Sequence, residues 1–580
     1  RIDDALRDAK SIFSAPQVFV DPRTETEWRS RNSGILADSE AHKILRLKKA
    51  AKYKMLSEKQ LELADIARSM AHQILHHNER AASMKVQAAY ALIGDVEGRK
   101  LDQQQMTCIV KEAHNHLVIA GAGTGKTTTV VGKIKYLLKT AKCLPQDILV
   151  LSFTNASASE MNERISAETG HSIAASTFHK LGLNIISQVN GVIPRITQIS
   201  LRKFVKEQLL LNMQSDTYLN LLSSYLLYNR VVAKSEFEFK SQKEYDEYLK
   251  LNPPTTVNNE TVKSYGEMDI ANFLIQNGIR YIYEHPYEID TRTSEYGQYH
   301  PDFYLPDYKI YIEYFGINRN GEVPSYFKAT NGMSATEAYR ASMEWKRTTH
   351  REHQTTMIEC YAYEKLEGNL LDFLKEKLEA ASVSLAPKSS KELWTQVAAE
   401  GDSLLDGIIE LFETLVNLIK SNGYDIATVC KLNHAGSNTQ TNNILLSLLE
   451  PIFNAYCKYL ADHKEIDFND MINLASEYVR QGKYINPYKY VIVDEYQYIS
   501  KARFTLLDCL RKSRDYELFC VGDDWQSIYR FAGSDIGFIL NFSKYWGATE
   551  VSKIETTYRF SQKLIEISGG FIMQNPVQIK

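Results

Sequence analysis

No Cys-x-x-Cys pair occurs in the 580 residues; the seven cysteines, at 108, 143, 360, 430, 457, 509 and 520, stand apart from one another and from histidines at metal-ligand spacing. That scatter excludes a zinc module, a disulfide framework and a cysteine-held iron–sulfur cluster, and it fits a reducing, cytoplasmic setting. Long apolar runs are missing too. Stretches such as Leu209 to Leu211 or Ile148 to Phe153 fall far short of the roughly 20 residues a membrane span needs, so no membrane partner is expected. No signal-peptide pattern is present, and because Arg1 is not an initiator Met the natural chain is expected to begin earlier. Charge of one sign is not in excess either: 68 Lys and Arg against 71 Asp and Glu leave −3. A uniformly basic binder and an acidic disordered tail are thereby excluded, and any nucleic-acid surface must be local.

With 44% hydrophobic residues the chain has enough apolar side chains for several cores, and its length suggests roughly three or four folding units. Helical patterning dominates the first hundred residues, clearest from Ser39 to Ala91, with a basic run of Arg46, Lys48, Lys49, Lys52 and Lys54 that reads as a solvated helix face. From Leu101 strands and helices alternate: His116 to Ala120 as a buried strand, Gly125 to Thr140 as a helix, Ile148 to Phe153 as a strand. Such alternation predicts a parallel sheet flanked by helices. Helices fill Thr177 to Lys250, the Pro-containing stretch Leu251 to Asn258 breaks them, and a tyrosine-dense α/β pattern follows from Gly266 to about Lys365. Amphipathic helices resume from Leu366 to Arg480, and a second α/β block starts at Tyr488.

Leu117 to Thr129, LVIAGAGTGKTTT, is an apolar strand running into a glycine-rich turn and a helix. In that context the turn residues Ala122, Gly123, Thr124 and Gly125, with Thr128, surround phosphate with backbone N–H groups. Lys126 reaches the outer phosphates and Thr127 holds magnesium. Ala120 stands where the strict pattern asks for Gly. Far downstream, YVIVDEYQ (Tyr490 to Gln497) is a strand ending in two carboxylates. Such a strand is expected beside the P-loop strand, with Asp494 supporting magnesium and Glu495 polarising the attacking water of nucleoside triphosphate hydrolysis.

The segments LDQQQ (101–105), LSFTNASASEMNER (151–164), STFHKLG (176–182), VDEYQ (493–497), VGDDWQSIYRFAGSD (521–535) and TTYRFS (556–561) stand in the order found in UvrD/Rep-like superfamily 1 helicases. The chain most resembles the DNA helicase IV group. The resemblance implies that Gln105 recognises adenine, that Gln497 and Gln526 sense the terminal phosphate, and that Arg559 is an arginine finger. Thr154, Asn155, Thr177, Phe178 and His179 match positions that face DNA, and Tyr529 and Phe531 lie in the segment offering an aromatic surface to bases. Ala156 stands where many relatives have Lys, removing one phosphate contact. The motifs that complete the second lobe of this family are absent before Lys580, so the chain as written is expected to bind nucleotide weakly and not to unwind DNA.

Between STFHKLG and VDEYQ lie about three hundred residues. Within them Asp302 stands at a strand end and Glu313 on the next strand, where Ile310 and Ile312 alternate with Tyr311 and Glu313. Two such acids can converge on one magnesium or manganese ion. This unit resembles the PD-(D/E)XK nuclease fold, with Pro301-Asp302 as its first motif. By that resemblance Glu267 is the helix acid and third metal ligand. Phe315 occupies the usual Lys position, and Lys346, which shares a helix face with Tyr339 and Met343, is expected to supply the charge instead. His350 on the same face reads as a surface residue.

The expected fold is α/β: a RecA-like P-loop lobe with helical insertions, an inserted restriction-endonuclease-like α/β domain and a truncated second lobe. The expected boundaries are an N-terminal helical region 1–100, the first lobe 101–185 and 481–545, helical insertions 186–257 and 366–480, the nuclease-like insert 258–365 and the start of a second lobe 546–580. The function implied is an ATP- and Mg2+-dependent helicase or translocase, 3′ to 5′ on single-stranded or tailed DNA, with a nuclease insert using Mg2+ or Mn2+. Repair, recombination or anti-phage defence would be its setting. Two other readings stay open: an ATPase that releases RNA polymerase, with the N-terminal helices as a protein-binding arm, and a defence nuclease gated by ATP.

Overall fold

The computed structural model describes residues 1–37, 51–228, 234–292, 297–328, 332–397, 402–434, 439–530 and 533–575, and for a few residues inside helices and strands only the backbone. Among the described residues the strands are, in chain order, β1 (Asn115–Ala120), β2 (Ile148–Ser152), β3 (Ala174–Thr177), β4 (Arg195–Ile196), β5 (Ile282–Tyr283), β6 (Phe303–Leu305), β7 (Ile310–Phe315), β8 (Thr356–Tyr361), β9 (Glu465–Ile466), β10 (Tyr490–Val493), β11 (Glu517–Gly522) and β12 (Glu550–Ile554). The chain divides into two compact units: residues 1–198, 414–425 and 458–580 form one, and residues 199–413 and 426–457 form the other. No helix among the described residues is long and apolar enough to cross a membrane.

The first unit is built on a six-stranded sheet in the order β12-β1-β11-β10-β2-β3, every pair parallel. Its strands are apolar at successive positions because helices cover both faces. Val118, Val150, Ile492 and Val521 pack with Val130 and Ile134 of the helix Lys126–Lys139 on one face. Leu117, Leu149, Val491 and Leu518 pack with Leu181, Ile472 and Leu507 on the other. The strand carrying Asp494 and Glu495 was expected beside the P-loop strand, but β11 lies between β10 and β1. Both loops still leave the same edge, because all the strands are parallel.

Residues 546–580 were expected to open a second lobe. Residues Glu550–Ile554 instead form the edge strand next to β1. They are anchored by a buried ion pair, Lys111 Nζ to Glu550 Oε1 at 2.6 Å, and by Asn115 Nδ2, which donates to the carbonyls of Trp546 and Ala548. In the same unit the 43-residue helix Ala51–Ile93 packs Leu63, Met70 and Ile74 against Leu6 and Trp28. The side chains of the basic run Arg46 to Lys54 lie outside the described residues.

The second unit holds a four-stranded sheet in the order β5-β6-β7-β8. The pairs β5–β6 and β6–β7 are antiparallel, while β7–β8 is parallel and linked by the helix Ala335–Glu352. Ile310 and Ile312 face a core with Ile270, Leu274 and Ile358. On the opposite face Tyr311 joins Tyr287, Tyr299 and Tyr304, and Phe315 meets Met343. The core continues through Leu370, Leu374 and Leu378, beyond the boundary at 365.

Helix Phe178–Asn190 crosses helix Phe468–Arg480 at Gly182, where an added Cβ would stand 2.3 Å from the Met471 carbonyl oxygen. Backbone cannot yield as a side-chain tip can. Gly182→Ala should therefore destabilise the first unit by about 1–3 kcal/mol, read as a lower urea midpoint at unchanged slope.

Candidate active site

The turn after β1 depends on backbone freedom. Gly123 (φ +77) and Gly125 (φ +82) are left-handed, and a Cβ on Gly123 would lie 2.4 Å from Arg559 Cβ. The crowding comes from the chain after β12, which straps the turn. Gln104 Oε1 accepts from the Glu555 N–H, Thr557 Oγ1 donates to the Ala122 carbonyl (2.8 Å), and the Tyr558 N–H donates to the Gly123 carbonyl (3.0 Å). Tyr558 is further held by its hydroxyl, which donates to Asp102.

A cavity of about 440 Å3 opens here, lined by Ala122, Gly123, the run Gly125 to Thr128, Glu495, Gln526 and Arg559. Arg99, Arg164 and Tyr558 also line it; Arg164 and Tyr558 fall in the segments 151–164 and 556–561 but had been given no role, and Arg99 precedes the first of the motifs. Lys126, only 9% exposed, places Nζ 3.4 Å from Glu495 Oε2. Glu495 itself is left-handed at φ +54, a costly conformation for a residue with a Cβ, and its carboxylate accepts from Gln497 Nε2. Burial, with Glu495 alongside, pushes the Asp494 carboxyl up to about 7. Asp523 joins the two glutamines: its N–H donates to Gln497 Oε1 (2.9 Å), and its Oδ2 accepts from Gln526 Nε2 (2.6 Å). Gln105 is already engaged by protein, since its Nε2 donates to the Thr124 carbonyl and its Oε1 accepts the Asp102 N–H. Two positive-φ glycines and a buried cation beside two carboxylates match the demands of a triphosphate with its magnesium ion.

Further along the same edge of the sheet Thr154 and Thr177 cap the helices Asn155–Thr169 and Phe178–Asn190, and Thr177 Oγ1 donates to Asn155 Oδ1 at 3.4 Å. Phe178 is buried in the core. His179 stacks edge-on to Phe468, and burial, reinforced by Arg503, holds its imidazole down at about 4. Tyr529 packs with Phe153 and Tyr498, and the Arg503 guanidinium lies 4.8 Å from the Phe153 ring. Phe153 falls in the segment 151–164 without an assigned role, and Tyr498 and Arg503 lie just beyond VDEYQ. Phe531 lies outside the described residues.

In the second unit Lys346 Nζ sits 2.5 Å from Glu313 Oε2, and Tyr299 donates to Glu313 Oε1 at 2.5 Å. Lys346 also lies 5.5 Å from the Phe315 ring, so its charge arrives from the helix at the place where the strand carries an aromatic. Asp302 Oδ2 accepts the Tyr314 N–H (2.7 Å). Burial, then Glu313, pushes the Asp302 carboxyl up to about 7; burial, then Asp302, does the same to Glu267. Glu267 is wrapped by Tyr283, Ser264 and the Lys263 N–H. Among the described residues no three His, Cys, Asp or Glu side chains form a metal-holding group, so the three expected ligands are not gathered at one point. Asp302 and Glu313 are the pair with the donor chemistry for a divalent cation. His350 was read as a surface residue; it is buried against Tyr287, with Nε2 3.3 Å from the Tyr299 hydroxyl. Glu236, absent from the motif reading, is also raised to about 7, by burial and then Glu267.

Residues 101–546 match the family model described as the UvrD/REP helicase N-terminal domain. The chain is 24% identical over 509 residues to DNA helicase IV of Escherichia coli, covering 87% of this chain and 52% of that protein. It is 32% identical over 133 residues to the ATP-dependent DNA helicase PcrA of Staphylococcus aureus, covering 22% of this chain and 18% of PcrA. Over 144 residues it is 30% identical to DNA helicase II of Rickettsia typhi, covering 24% and 22%. The chain thus spans about half the length of the helicase IV it matches.

The raised acids make stability depend on pH. Because folded Asp302 and Glu267 hold protons up to about pH 7, they contribute stability that is fully present below their ordinary value near 4 and lost as pH rises through 7. The urea midpoint of the second unit's transition should fall between pH 5 and pH 8, and Asp302→Asn should flatten that fall. An identical pH slope in wild type and Asp302→Asn would contradict the placement.

Proposed function

The chain belongs to the UvrD/REP helicase family, and from that premise we propose that it is the nucleotide-hydrolysing part of an ATP-dependent DNA helicase or translocase. Single-stranded DNA would pass 3′ to 5′, in repair, recombination or anti-phage defence. The observation that carries this reading is the convergence of Lys126, Glu495, Gln526 and Arg559 on one cavity, although Lys126 and Arg559 stand more than four hundred residues apart.

When bound, ATP with magnesium supplies the cleavable phosphoryl bond and the metal's neutralising charge. Backbone N–H groups of the turn from Ala122 to Gly125 cradle the phosphates, and Lys126 leaves Glu495 to reach the outer ones. Asp494 and Thr127 would hold the cation, whose charge would favour the ionised form of a carboxyl that burial otherwise raises to about 7. Glu495, released from Lys126, orients the attacking water and accepts its proton. Gln497 and Gln526, joined through Asp523, carry the state of the terminal phosphate toward Tyr498 and Tyr529. Arg559, on the strap over the turn, offsets charge developing on the phosphoryl oxygens. Thr154, Asn155, Thr177 and His179 would meet the DNA backbone, and Tyr529 with Phe531 the bases.

A second reading, of a nuclease-like insert, is favoured by the grouping of Asp302 and Lys346 around Glu313 of β7. There Asp302 and Glu313 would hold Mg2+ or Mn2+, with Glu267 supporting Asp302, and Lys346 would stabilise the scissile phosphate or the attacking water.

Single-stranded DNA should stimulate ATP hydrolysis, and Lys126→Ala or Glu495→Gln should lower the rate about 100-fold or more; equal rates in Lys126→Ala and wild type would refute the motor assignment. Manganese-dependent DNA cleavage should vanish in Asp302→Ala and Glu313→Ala while ATP hydrolysis persists. Cleavage surviving both changes would remove the nuclease assignment.

A further inference from the structure

His350 stands in the second unit on the helix Ala335–Glu352, one turn beyond Lys346, and is only 3% exposed. Both of its ring nitrogens face hydroxyl groups. Nε2 lies 3.3 Å from the Tyr299 hydroxyl, and Nδ1 lies 2.7 Å from Thr355 Oγ1. At either end the contacts go on: Tyr299 donates to Glu313 Oε1 at 2.5 Å, and the Tyr287 hydroxyl lies 2.6 Å from Thr355 Oγ1. Glu313, Tyr299, His350, Thr355 and Tyr287 thus form one hydrogen-bonded line, and only Glu313 among them has a role in the cation site proposed above.

One proton per hydroxyl and one per neutral imidazole settles the direction of each bond. Glu313 accepts on both oxygens, from Lys346 on Oε2 and from Tyr299 on Oε1. Having spent its proton, the Tyr299 oxygen meets Nε2 with a lone pair, so Nε2 carries the imidazole N–H. Nδ1 is then the acceptor and takes the Thr355 proton, which leaves Thr355 Oγ1 to accept from Tyr287. Competing acceptors are poorer: the Met357 sulfur is 3.9 Å from the Tyr299 hydroxyl, and the His350 carbonyl oxygen is 3.5 Å from Thr355 Oγ1. Burial, reinforced by Lys346, keeps the ring neutral by holding it down at about 4. The opposite tautomer would leave Nε2 bare and draw the Tyr299 proton away from Glu313.

Asp302 lies level with Glu313, because the antiparallel pairing of β6 and β7 sets Phe303 against Ile312. Tyr299 and Lys346 each use one lone pair on a Glu313 oxygen, so the carboxylate keeps others for a cation while being held against rotation. We infer that His350, by keeping its proton on Nε2, makes Tyr299 donate to Glu313 and so fixes the carboxylate that would share a divalent cation with Asp302. His350 and Tyr299 are positioning residues, acting through Glu313. The inference rests on the nuclease-like reading of the insert.

Mn2+ alone, added to the full chain without nucleotide or DNA and followed by electron paramagnetic resonance of the free ion, reads the site without any reaction. The site is the Mn2+ binding that Asp302→Asn removes. Tyr299→Phe should weaken it about tenfold, and His350→Phe, which keeps a ring against Tyr287 and Tyr311, should do the same. His350→Gln keeps an N–H donor near the Nε2 position and should bind Mn2+ as wild type does. Because His350 acts through Tyr299, the double variant Tyr299→Phe/His350→Phe should be no weaker than Tyr299→Phe alone. Additive losses, wild-type affinity in Tyr299→Phe or His350→Phe, or equal losses in His350→Gln and His350→Phe overturn the inference. Should His350→Phe fail to fold, Tyr299→Phe and His350→Gln decide. If wild type binds no more Mn2+ than Asp302→Asn, the cation reading of the insert fails and the inference with it; if Asp302→Asn removes binding that the Tyr299 and His350 variants keep, the positioning role alone fails.

Discussion

A lysine buried at the start of a helix needs a counter-charge, and Lys126, the first residue of the helix Lys126–Lys139, finds one within the first unit. Its partner, Glu495, follows a strand two places away in a wholly parallel sheet. Parallel order sends both loops to the same edge, so residues far apart in sequence share one low-dielectric site. The cost shows in two places: Glu495 occupies a strained left-handed conformation, and Asp494 holds its proton to about pH 7. An arrangement of that kind favours a ligand that brings both anionic phosphate and a cation.

The strap from β12 follows from the same constraint. Because Gly123 lacks a Cβ, the chain at Thr557 to Arg559 can lie directly on the turn and place an arginine at the cavity. β12 is fixed by the buried Lys111–Glu550 pair, whose breakage would leave an uncompensated charge in the core. Arg559 is thus positioned by the edge of this sheet.

The second unit meets a similar charge problem with tyrosines. Tyr299 and Tyr283 donate to Glu313 and Glu267, while Lys346 pairs with Glu313. Phenol hydroxyls stabilise buried carboxylates at no cost in added charge, which explains why a tyrosine-dense strand pattern surrounds the acids.

The limits of β1 and β2 to within a residue, the glycine turn with its lysine, the paired carboxylates and the alternation of Ile310 and Ile312 with Tyr311 and Glu313 were legible in the sequence, because each is a local consequence of period, backbone freedom or motif spacing. Strand order was not: β11 between β1 and β10, and β12 joining the first sheet, depend on pairings across hundreds of residues that no local pattern encodes. Nor was burial, which turned His350 from a surface residue into part of a tyrosine cluster and spent the amide of Gln105 on the P-loop backbone. Tyr299, His350 and Thr355 belong to no shared motif; only packing joins them in a line to Glu313. Covalent neighbours and residue chemistry therefore determined which groups were available, and the tertiary structure decided which of them meet, because the energies that select those meetings come from burial and charge pairing between distant segments.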